Sequence, residues 1–360
     1  MKNFTLIILL HLSLGSAFSQ NTFILNNTPG TAANFRTLQG ALDSVPAGNI
    51  ILIQGSGINY GLATISKPVV IYGPGYFLGQ NNVPNTQADL SEAMLIRLVF
   101  AAGSQGSIIS GLSFVPRAQD DYASNNRINI NNTSDIIINR CHFESNPGNG
   151  DEHQNFAIIN STNVTISQSF IGLNGAVLCY FSSASNILFK NNIIEGQPNL
   201  FIASGFSALP YSYTFQNNSM IGSIDAGSRF CNGTFINNVI INNGPATTYN
   251  GCAMTFADHN VSNMNIFPGG TNISNADASK TYLLNSNPLF SSRDAIYQQK
   301  PGSSAVGYGN DGTDAGAFGT TDKYIFSGLP AIPNTYFADV PQIGTNTGGL
   351  KIHLKIKANN

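Results

Sequence analysis

Charged side chains are scarce in this sequence: they make up 9% of its 360 residues, and the net charge is −2. Nucleic-acid-binding domains carry a basic surface, so we expect no nucleic-acid partner. Tryptophan is absent and cysteine occurs four times, too few for a small domain held together by disulfides. After the first residues, no run of about 18 apolar residues occurs, so the sequence predicts no membrane span once a leader is removed.

Asparagine and glycine are abundant instead, with 46 and 36 residues. Both residues favour turns and helix ends over helix interiors. Apolar residues still make up 42% of the chain, which excludes a disordered polar chain. The composition therefore predicts an all-β protein of many short strands joined by many turns.

The first residues have the features of an export signal. Lys2 provides a positive charge, residues 4–14 (FTLIILLHLSL) are mostly apolar, and Ala17 and Ser19 lie three residues and one residue before a cleavage site. The apolar stretch is too short to cross a bilayer of about 30 Å as a helix. We therefore predict a signal peptide over residues 1–19 and a protein that is secreted or held in the cell envelope.

A unit of eight positions recurs at intervals of 20–29 residues and reads apolar, any, apolar, polar, polar, small polar, any, apolar. Its first half alternates with period two, which places the apolar residues on one side of a strand. The units are SIISGLSF (107–114), IIINRCHF (136–143), VTISQSFI (164–171), ILFKNNII (187–194), YTFQNNSM (213–220), GTFINNVI (233–240) and MTFADHNV (254–261). Their third position forms the column Ile109, Ile138, Ile166, Phe189, Phe215, Phe235 and Phe256.

The sixth position of the later units is small or polar. It holds Cys141, Ser169, Asn192, Asn218, Asn238 and His259. We expect stacked Asn amides at this turn to bond to the coils above and below, which would satisfy backbone groups that a turn leaves unpaired. We interpret Cys141 as a small core residue. Short strands repeated at this interval predict a β-solenoid of roughly ten coils, each buried by its neighbours; a β-sandwich would not give this register.

Two further features lie outside the repeated units. Residues 35–45 (FRTLQGALDSV) have apolar residues at helical spacing and predict a short helix that caps the first coil, followed by strands at 50–53 and 68–72. Cys231 and Cys252 each lie four residues before a column Phe. They would stack about 4.8 Å apart in adjacent coils, either as a disulfide or as two buried thiols.

Three segments together resemble secreted bacterial proteins of the pectate-lyase-like superfamily. They are the start FRTLQGALDSVPAGNIILI…ISKPVVIYGPG, the repeats, and the end NPLF…YQQKPGSSAVGYGNDGTDAGAFG. The resemblance implies a single-stranded, right-handed parallel β-helix over residues 20–320 and a tail over residues 321–360. In the tail, apolar residues alternate with basic ones and predict a half-buried strand that lies along the solenoid. These apolar residues are Leu350, Ile352, Leu354 and Ile356.

Enzymes of the resembled family act on polysaccharides. A lyase needs a cation, often Ca²⁺, to neutralise a uronate, and a base to remove a proton. A glycosidase needs two carboxyl groups that face each other across the bond, and between residues 127 and 260 no acidic pair stacks coil above coil. The sequence therefore weighs against a glycosidase or esterase and leaves a lyase as the enzymatic hypothesis.

The richest cluster of ionisable residues lies in two loops, RAQDDY (117–122) and ESNPGNGDEHQ (144–154), with Arg140 and His142 between them. For a lyase, the proton-transfer candidates are His153, Arg140 and Tyr122, and the substrate-binding candidates are Tyr180 and His142. The candidate Ca²⁺ ligands are Asp120, Asp121, Asp151 and Glu152. The alternative is that both loops are merely solvated.

Two hypotheses for the function stay open on the sequence. The first is a secreted polysaccharide lyase with its site at these two loops. The second is a non-catalytic carbohydrate-binding or adhesive solenoid, in which neutral Asn, Ser and Thr faces bind a polysaccharide or cell-surface glycan. In both we expect a monomer.

Overall fold

The computed structural model describes most of the chain. It describes residues 20–81, 86–116, 126–144, 155–173, 177–196, 201–204, 212–222, 233–244, 254–267, 269–283, 292–341 and 349–358.

Three parallel sheets surround one apolar core. Sheet A has ten strands, sheet B six and sheet C eight among the described residues. In each complete coil the chain passes from sheet B to sheet A to sheet C, and every strand pairs in parallel with its equivalent in the next coil. The predicted parallel β-helix is confirmed. The estimate of ten coils is too high, because a complete coil needs a strand in all three sheets and sheet B has only six strands in the described structure.

The strands are numbered in chain order. Sheet A consists of β1 (Thr22–Leu25), β2 (Ile50–Ile53), β4 (Val70–Tyr72), β7 (Ile108–Ser110), β10 (Ser134–Asn139), β13 (Thr162–Ser167), β16 (Ser185–Lys190), β19 (Tyr213–Gln216), β21 (Thr234–Ile236) and β23 (Phe256–Asp258). Sheet B consists of β3 (Leu62–Ile65), β6 (Arg97–Phe100), β9 (Ile128–Asn131), β12 (Phe156–Ile159), β15 (Val177–Ser182) and β18 (Phe201–Ser204). Sheet C consists of β5 (Met94–Leu95), β8 (Ser113–Phe114), β11 (His142–Phe143), β14 (Phe170–Leu173), β17 (Ile193–Gly196), β20 (Ser219–Gly222), β22 (Val239–Asn242) and β24 (Val261–Ser262).

The predicted core column is confirmed from Ile109 to Phe235, whose members are fully buried and pair in register. The Phe189 and Phe215 rings stack with centroids 4.6 Å apart. The prediction for the last unit is wrong by one residue. Phe235 pairs with Ala257 instead of Phe256, and Phe256 is 51% exposed. His259 adopts a φ of 50°, the left-handed conformation that Asn191, Asn217 and Asn237 adopt just before the ladder position.

The predicted asparagine ladder is also confirmed, with Asn260 in place of His259. Asn192, Asn218, Asn238 and Asn260 have no exposed surface. The backbone N–H of each of the first three donates to the side-chain oxygen of the next, at 3.0, 3.0 and 2.9 Å. Their amide groups also donate to main-chain carbonyls of the preceding coil. The amides thus satisfy buried backbone groups at the turns between sheets A and C in the later coils.

The predicted helical cap is present as α1 (Leu38–Ser44), and its N-terminus is capped by the Thr37 hydroxyl, which accepts from the Gly40 N–H at 3.2 Å. At the edge of sheet B, the Gln39 side chain accepts from the Thr64 N–H at 2.8 Å and donates to the Thr64 carbonyl at 3.3 Å. The amide thereby takes the place of a neighbouring strand. The strand predicted at 68–72 begins at Val70.

Residues 292–329, here the closing strap, run back along the corner between sheets A and C. The strap includes two 3₁₀ turns, Ala295–Tyr297 and Phe326–Gly328, and a third such turn, Ala278–Lys280, precedes it. Residues in the left-handed column of the coils contact the strap in reverse chain order. These contacts are Arg140 with Leu329, Gln168 with Asp322 and Lys323, Asn191 with Ala317 and Gly319, Asn237 with Asn310, and His259 with Tyr308.

The chain ends in an antiparallel hairpin of β25 (Asn334–Asp339) and β26 (His353–Lys357). The strand predicted in the tail is confirmed, but half-burial along the solenoid is wrong. Leu354 and Ile356 are 50% and 63% exposed, and in the described structure β26 pairs with β25 and not with a strand of the solenoid. In the described part of the chain, no helix has the length and apolar character needed to cross a bilayer.

Candidate functional site

Most of the residues proposed from the two ionisable loops lie outside the described residues, and their roles stay predictions. They are Tyr122, His153, Asp120, Asp121, Asp151 and Glu152, together with the cysteines Cys231 and Cys252. The described residues contain no group of three or more His, Cys, Asp or Glu side chains that could hold a metal ion. Cys141 is buried and unpaired, as expected for a core residue.

Arg140 lies at the corner between sheets A and C and is 8% exposed. Its Nε donates to Gln168 Oε1 at 2.9 Å, and its Nη1 donates to the Leu329 carbonyl at 2.7 Å. Because this corner faces away from sheet B in a three-sided coil, the guanidinium is directed at the closing strap. Its geometry suits a residue that holds the strap rather than one that transfers a proton to substrate.

His142 is enclosed on the outer face of sheet C and is 6% exposed. Its ring packs against Tyr76, Phe77 and Phe170, with centroid distances of 5.3, 4.6 and 5.7 Å. Burial, reinforced by the charge of Arg293, lowers the pKa of His142 to about 3. The neutral ring therefore belongs to an internal apolar cluster, where it has no access to a polysaccharide.

Tyr180 is the predicted substrate-binding residue that the structure does place near solvent. It is partly exposed on the outer face of β15, while its neighbours Cys179 and Phe181 belong to the core. In the adjacent strands Ala157 and Asn129 occupy the same register position. Ala157 is itself buried, at 2% exposed, so this face of sheet B is covered at the strand next to Tyr180.

Three charged side chains lie close together where the two loops leave the coils. Arg127 is 8% exposed, and burial lowers its pKa to about 10, while the nearby Glu144 opposes this shift. Burial raises the pKa of Glu92, and Glu144 adds to the rise. Glu92 accepts from Ser113 Oγ at 2.5 Å and from the Phe77 N–H at 2.8 Å. Sequence reasoning missed Glu92, whose signal was a single acid in an otherwise apolar strand region.

A shallow groove of about 670 Å³ follows the turns between sheet B and sheet A. It crosses four successive coils, and every described residue that lines it is polar and uncharged. These residues are Gln105, Asn132, Thr133, Ser134, Asn160, Ser161, Thr162, Ser183 and Ser185. Sequence reasoning anticipated neutral Asn, Ser and Thr faces but did not locate them.

The groove is built from a turn that repeats in each coil. Asn132, Asn160 and Ser183 occupy equivalent positions and all adopt φ values of 47–52°, a conformation that Asn tolerates better than most residues. Asn160 Nδ2 donates to Asn132 Oδ1 at 3.2 Å, and the Thr162 and Ser185 hydroxyls are 3.1 Å apart. The polar groups are therefore fixed relative to one another at the spacing of the coils.

Comparison with known proteins adds little to this geometry. No protein-family model and no curated protein matches the chain. Among solved structures it is similar to an arginine-to-lysine mutant of Bacillus subtilis pectate lyase, with 14% identity over 78% of this chain and 86% of that chain and a TM-score of 0.30. The fold assignment therefore rests on the strand order of the three sheets, and any function must be argued from surface residues.

A second polar surface, His259 with Asp258, belongs to the strap contacts and not to the groove. His259 Nδ1 and Asp258 Oδ1 are 2.8 Å apart, and the Thr271 hydroxyl donates to the same oxygen at 2.5 Å. Hydrogen bonds from Thr271 lower the pKa of Asp258, with a smaller effect from His259. The pair lies beside the Tyr308 ring of the strap, and we assign it to the packing of the strap.

Proposed function

We propose that this β-helix binds a neutral polysaccharide along the groove between sheets B and A. The observation that carries the proposal is the uncharged, hydroxyl- and amide-bearing lining of the groove over four coils. A pyranose presents hydroxyl groups that both donate and accept hydrogen bonds. Side-chain hydroxyls of Ser and Thr and amides of Asn offer the same two functions without charge.

The repeat of the coils suits an extended chain. Equivalent residues in adjacent coils lie about 4.8 Å apart, so one sugar after another can meet a similar set of groups. The groove is shallow and open, which admits the middle of a long chain as well as its end. Its ordered side chains reduce the conformational entropy that binding must overcome.

An acidic polysaccharide fits this groove less well. Asp135 follows the lining residue Ser134, and hydrogen bonds from Ser134 and Asn163 lower the pKa of its carboxyl group. It is therefore negatively charged at neutral pH and repels a uronate. None of the described residues that line the groove is Lys or Arg, so none of them compensates for a uronate charge.

The test measures the binding of the purified chain to neutral and acidic polysaccharides by affinity electrophoresis and calorimetry. We expect retention by a neutral polysaccharide and its loss in Thr162→Tyr, which fills the groove. Thr165→Tyr is the matched control, because Thr165 belongs to the same strand, β13, but does not line the groove. Equal binding by Thr162→Tyr and Thr165→Tyr, or binding to acidic polysaccharides alone, would refute the proposal that the groove binds a neutral polysaccharide.

The second candidate function is a polysaccharide lyase on the outer face of sheet B. It is favoured by the electrostatic interaction of Arg127 with Glu144, two residues that adjoin in sequence the loops that carry Tyr122 and His153. A lyase base must be unprotonated before it can accept a proton from the substrate. Burial lowers the pKa of Arg127 and so favours its unprotonated form.

This candidate is tested by incubating the chain with acidic polysaccharides, with and without Ca²⁺, while the absorbance of unsaturated uronate and new reducing ends are recorded. Absorbance that disappears in His153→Ala and in Arg127→Gln, but not in Arg140→Gln, would support the site on sheet B. Reducing ends without absorbance would indicate a hydrolase instead. If neither signal appears, the lyase is refuted and the groove proposal is unaffected.

A further inference from the structure

The terminal hairpin has two faces of different chemistry. On one face Leu354 is paired with Ala338 and Ile356 with Thr335; on the other, Lys355 is paired with Phe337. Only one edge of β26 is paired within the described sheet. The hairpin thus combines an apolar face, a basic face and an open strand edge.

The apolar face is unusually exposed for a folded protein. Leu354 and Ile356 lie on one face of β26 and are 50% and 63% exposed. Leu350 and Ile352, which precede β26 in sequence, and Val340, which follows β25, are 47%, 55% and 54% exposed. Scattered exposed aliphatic residues need no explanation, but a contiguous group marks an interaction surface. These five residues are called the apolar patch below.

The face of the hairpin opposite these aliphatic side chains is positively charged. Lys351, Lys355 and Lys357 lie within seven residues of one another, and Asp339 is the one acid among the described residues of the hairpin. The Lys355 and Lys357 ammonium groups lie 5.2 and 5.5 Å from the ring centres of Phe337 and Tyr336. In a chain whose net charge is −2, this concentration of lysine favours an anionic partner.

A second copy of the chain fits the hairpin poorly. Antiparallel pairing of β26 with itself about Lys355 would place Lys355 opposite Lys355 and His353 opposite Lys357. Like charges directly opposite each other destabilise a sheet. A neutral polysaccharide would neither neutralise the lysines nor cover the aliphatic side chains.

We propose that the hairpin attaches the protein to the surface of membranes that contain anionic lipids. The apolar patch would enter the boundary between headgroups and acyl chains, as an amphipathic surface segment does. The lysine side chains would lie within the Debye length of about 8 Å, where anionic headgroups still attract them. This proposal is independent of the polysaccharide groove, which lies on the turns of the coils.

The test uses the chain from residue 20 onward, so that the apolar leader cannot contribute, and co-sedimentation with vesicles of phosphatidylcholine with or without phosphatidylglycerol. We expect binding to the anionic vesicles only, weakened by salt. Replacing Lys351, Lys355 and Lys357 by Gln should reduce the affinity about a hundredfold. The double variant Leu354→Ser/Ile356→Ser should reduce it at least about tenfold.

Matched controls change similar residues elsewhere. Ile58→Ser removes an aliphatic side chain that is 49% exposed, and Lys280→Gln removes an exposed charge; both should bind like the wild type, and circular dichroism should be unchanged in all variants. Failure to bind anionic vesicles, equal binding to neutral ones, or binding unaffected by the hairpin variants would each overturn the proposal. Dimers in the ultracentrifuge that the Leu354→Ser/Ile356→Ser variant abolishes, without vesicle binding, would also overturn it in favour of a second copy.

Discussion

The substitution Asn218→Ala tests the asparagine ladder at its centre. Asn218 Oδ1 accepts from the Asn192 N–H at 3.0 Å, and its Nδ2 donates to the Phe189 carbonyl at 2.9 Å and to Asn238 Oδ1 at 3.0 Å. Alanine removes the acceptor for one buried backbone group and the donor to another. At about 1–3 kcal/mol for each buried group left unsatisfied, we expect the free energy of unfolding to fall by about 2–6 kcal/mol.

The assay is unfolding in guanidinium followed by far-ultraviolet circular dichroism, since the chain has no tryptophan to report by fluorescence. Asn243→Ala is the control, because Asn243 is exposed, and we expect a change within about 0.5 kcal/mol. Asn218→Asp should be at least as unstable as Asn218→Ala at neutral pH, since it buries a charge, and should partly recover in mild acid. A loss below about 1 kcal/mol in Asn218→Ala would show that the amide is not needed to satisfy the turn.

Two further predictions concern the side chains around the strap. Gln168→Ala removes hydrogen bonds to Arg140, Asp322 and Lys323. We expect it to lower the free energy of unfolding by about 1–3 kcal/mol and to speed protease cleavage in the strap. Lys190→Gln breaks only the ion pair with Asp322 and should change neither the free energy of unfolding nor the rate of cleavage. His142 has a pKa of about 3 when folded, against 6.5 for the free side chain, so the unfolded chain binds more protons between these values and stability falls as the pH drops. From pH 7 to pH 5 the loss should be about 2 kcal/mol and should be absent in His142→Phe but present in His353→Phe; equal pH dependence in both variants would contradict the burial of His142.

Much of the fold could be predicted because the same sequence pattern recurs in each coil of a solenoid. A residue such as Phe215 is surrounded by its equivalents in the coils on either side, so the sequence period alone identifies its neighbours. The prediction was wrong by one residue at the last coil, where Phe256 was assigned to the core column and His259 to the ladder position. Only the pairing of Phe235 with Ala257 shows that His259 occupies the left-handed turn position and that Asn260 belongs to the ladder.

The candidate site was less accessible to sequence reasoning. Arg140 and His142 looked like exposed functional residues because they are rare charges within an apolar repeat. Their surroundings are set by the closing strap and by residues 76–77, which are distant in sequence. No periodicity within the coils indicates which of their faces such a segment covers.

The sequence by itself determined the coil, most of its core column and most of the asparagine ladder, because each depends on contacts between neighbours in a fixed repeat. It also indicated the terminal strand through the alternation of apolar and basic residues. The tertiary structure alone decided which polar faces meet solvent. It buried His142 beneath the segment around Phe77, tied Arg140 to Leu329, and left Leu354 and Ile356 uncovered. The physical reason is that the burial of an outward-facing side chain depends on where distant segments of the chain pack against the coils. The local sequence pattern of a coil does not indicate where those segments pack.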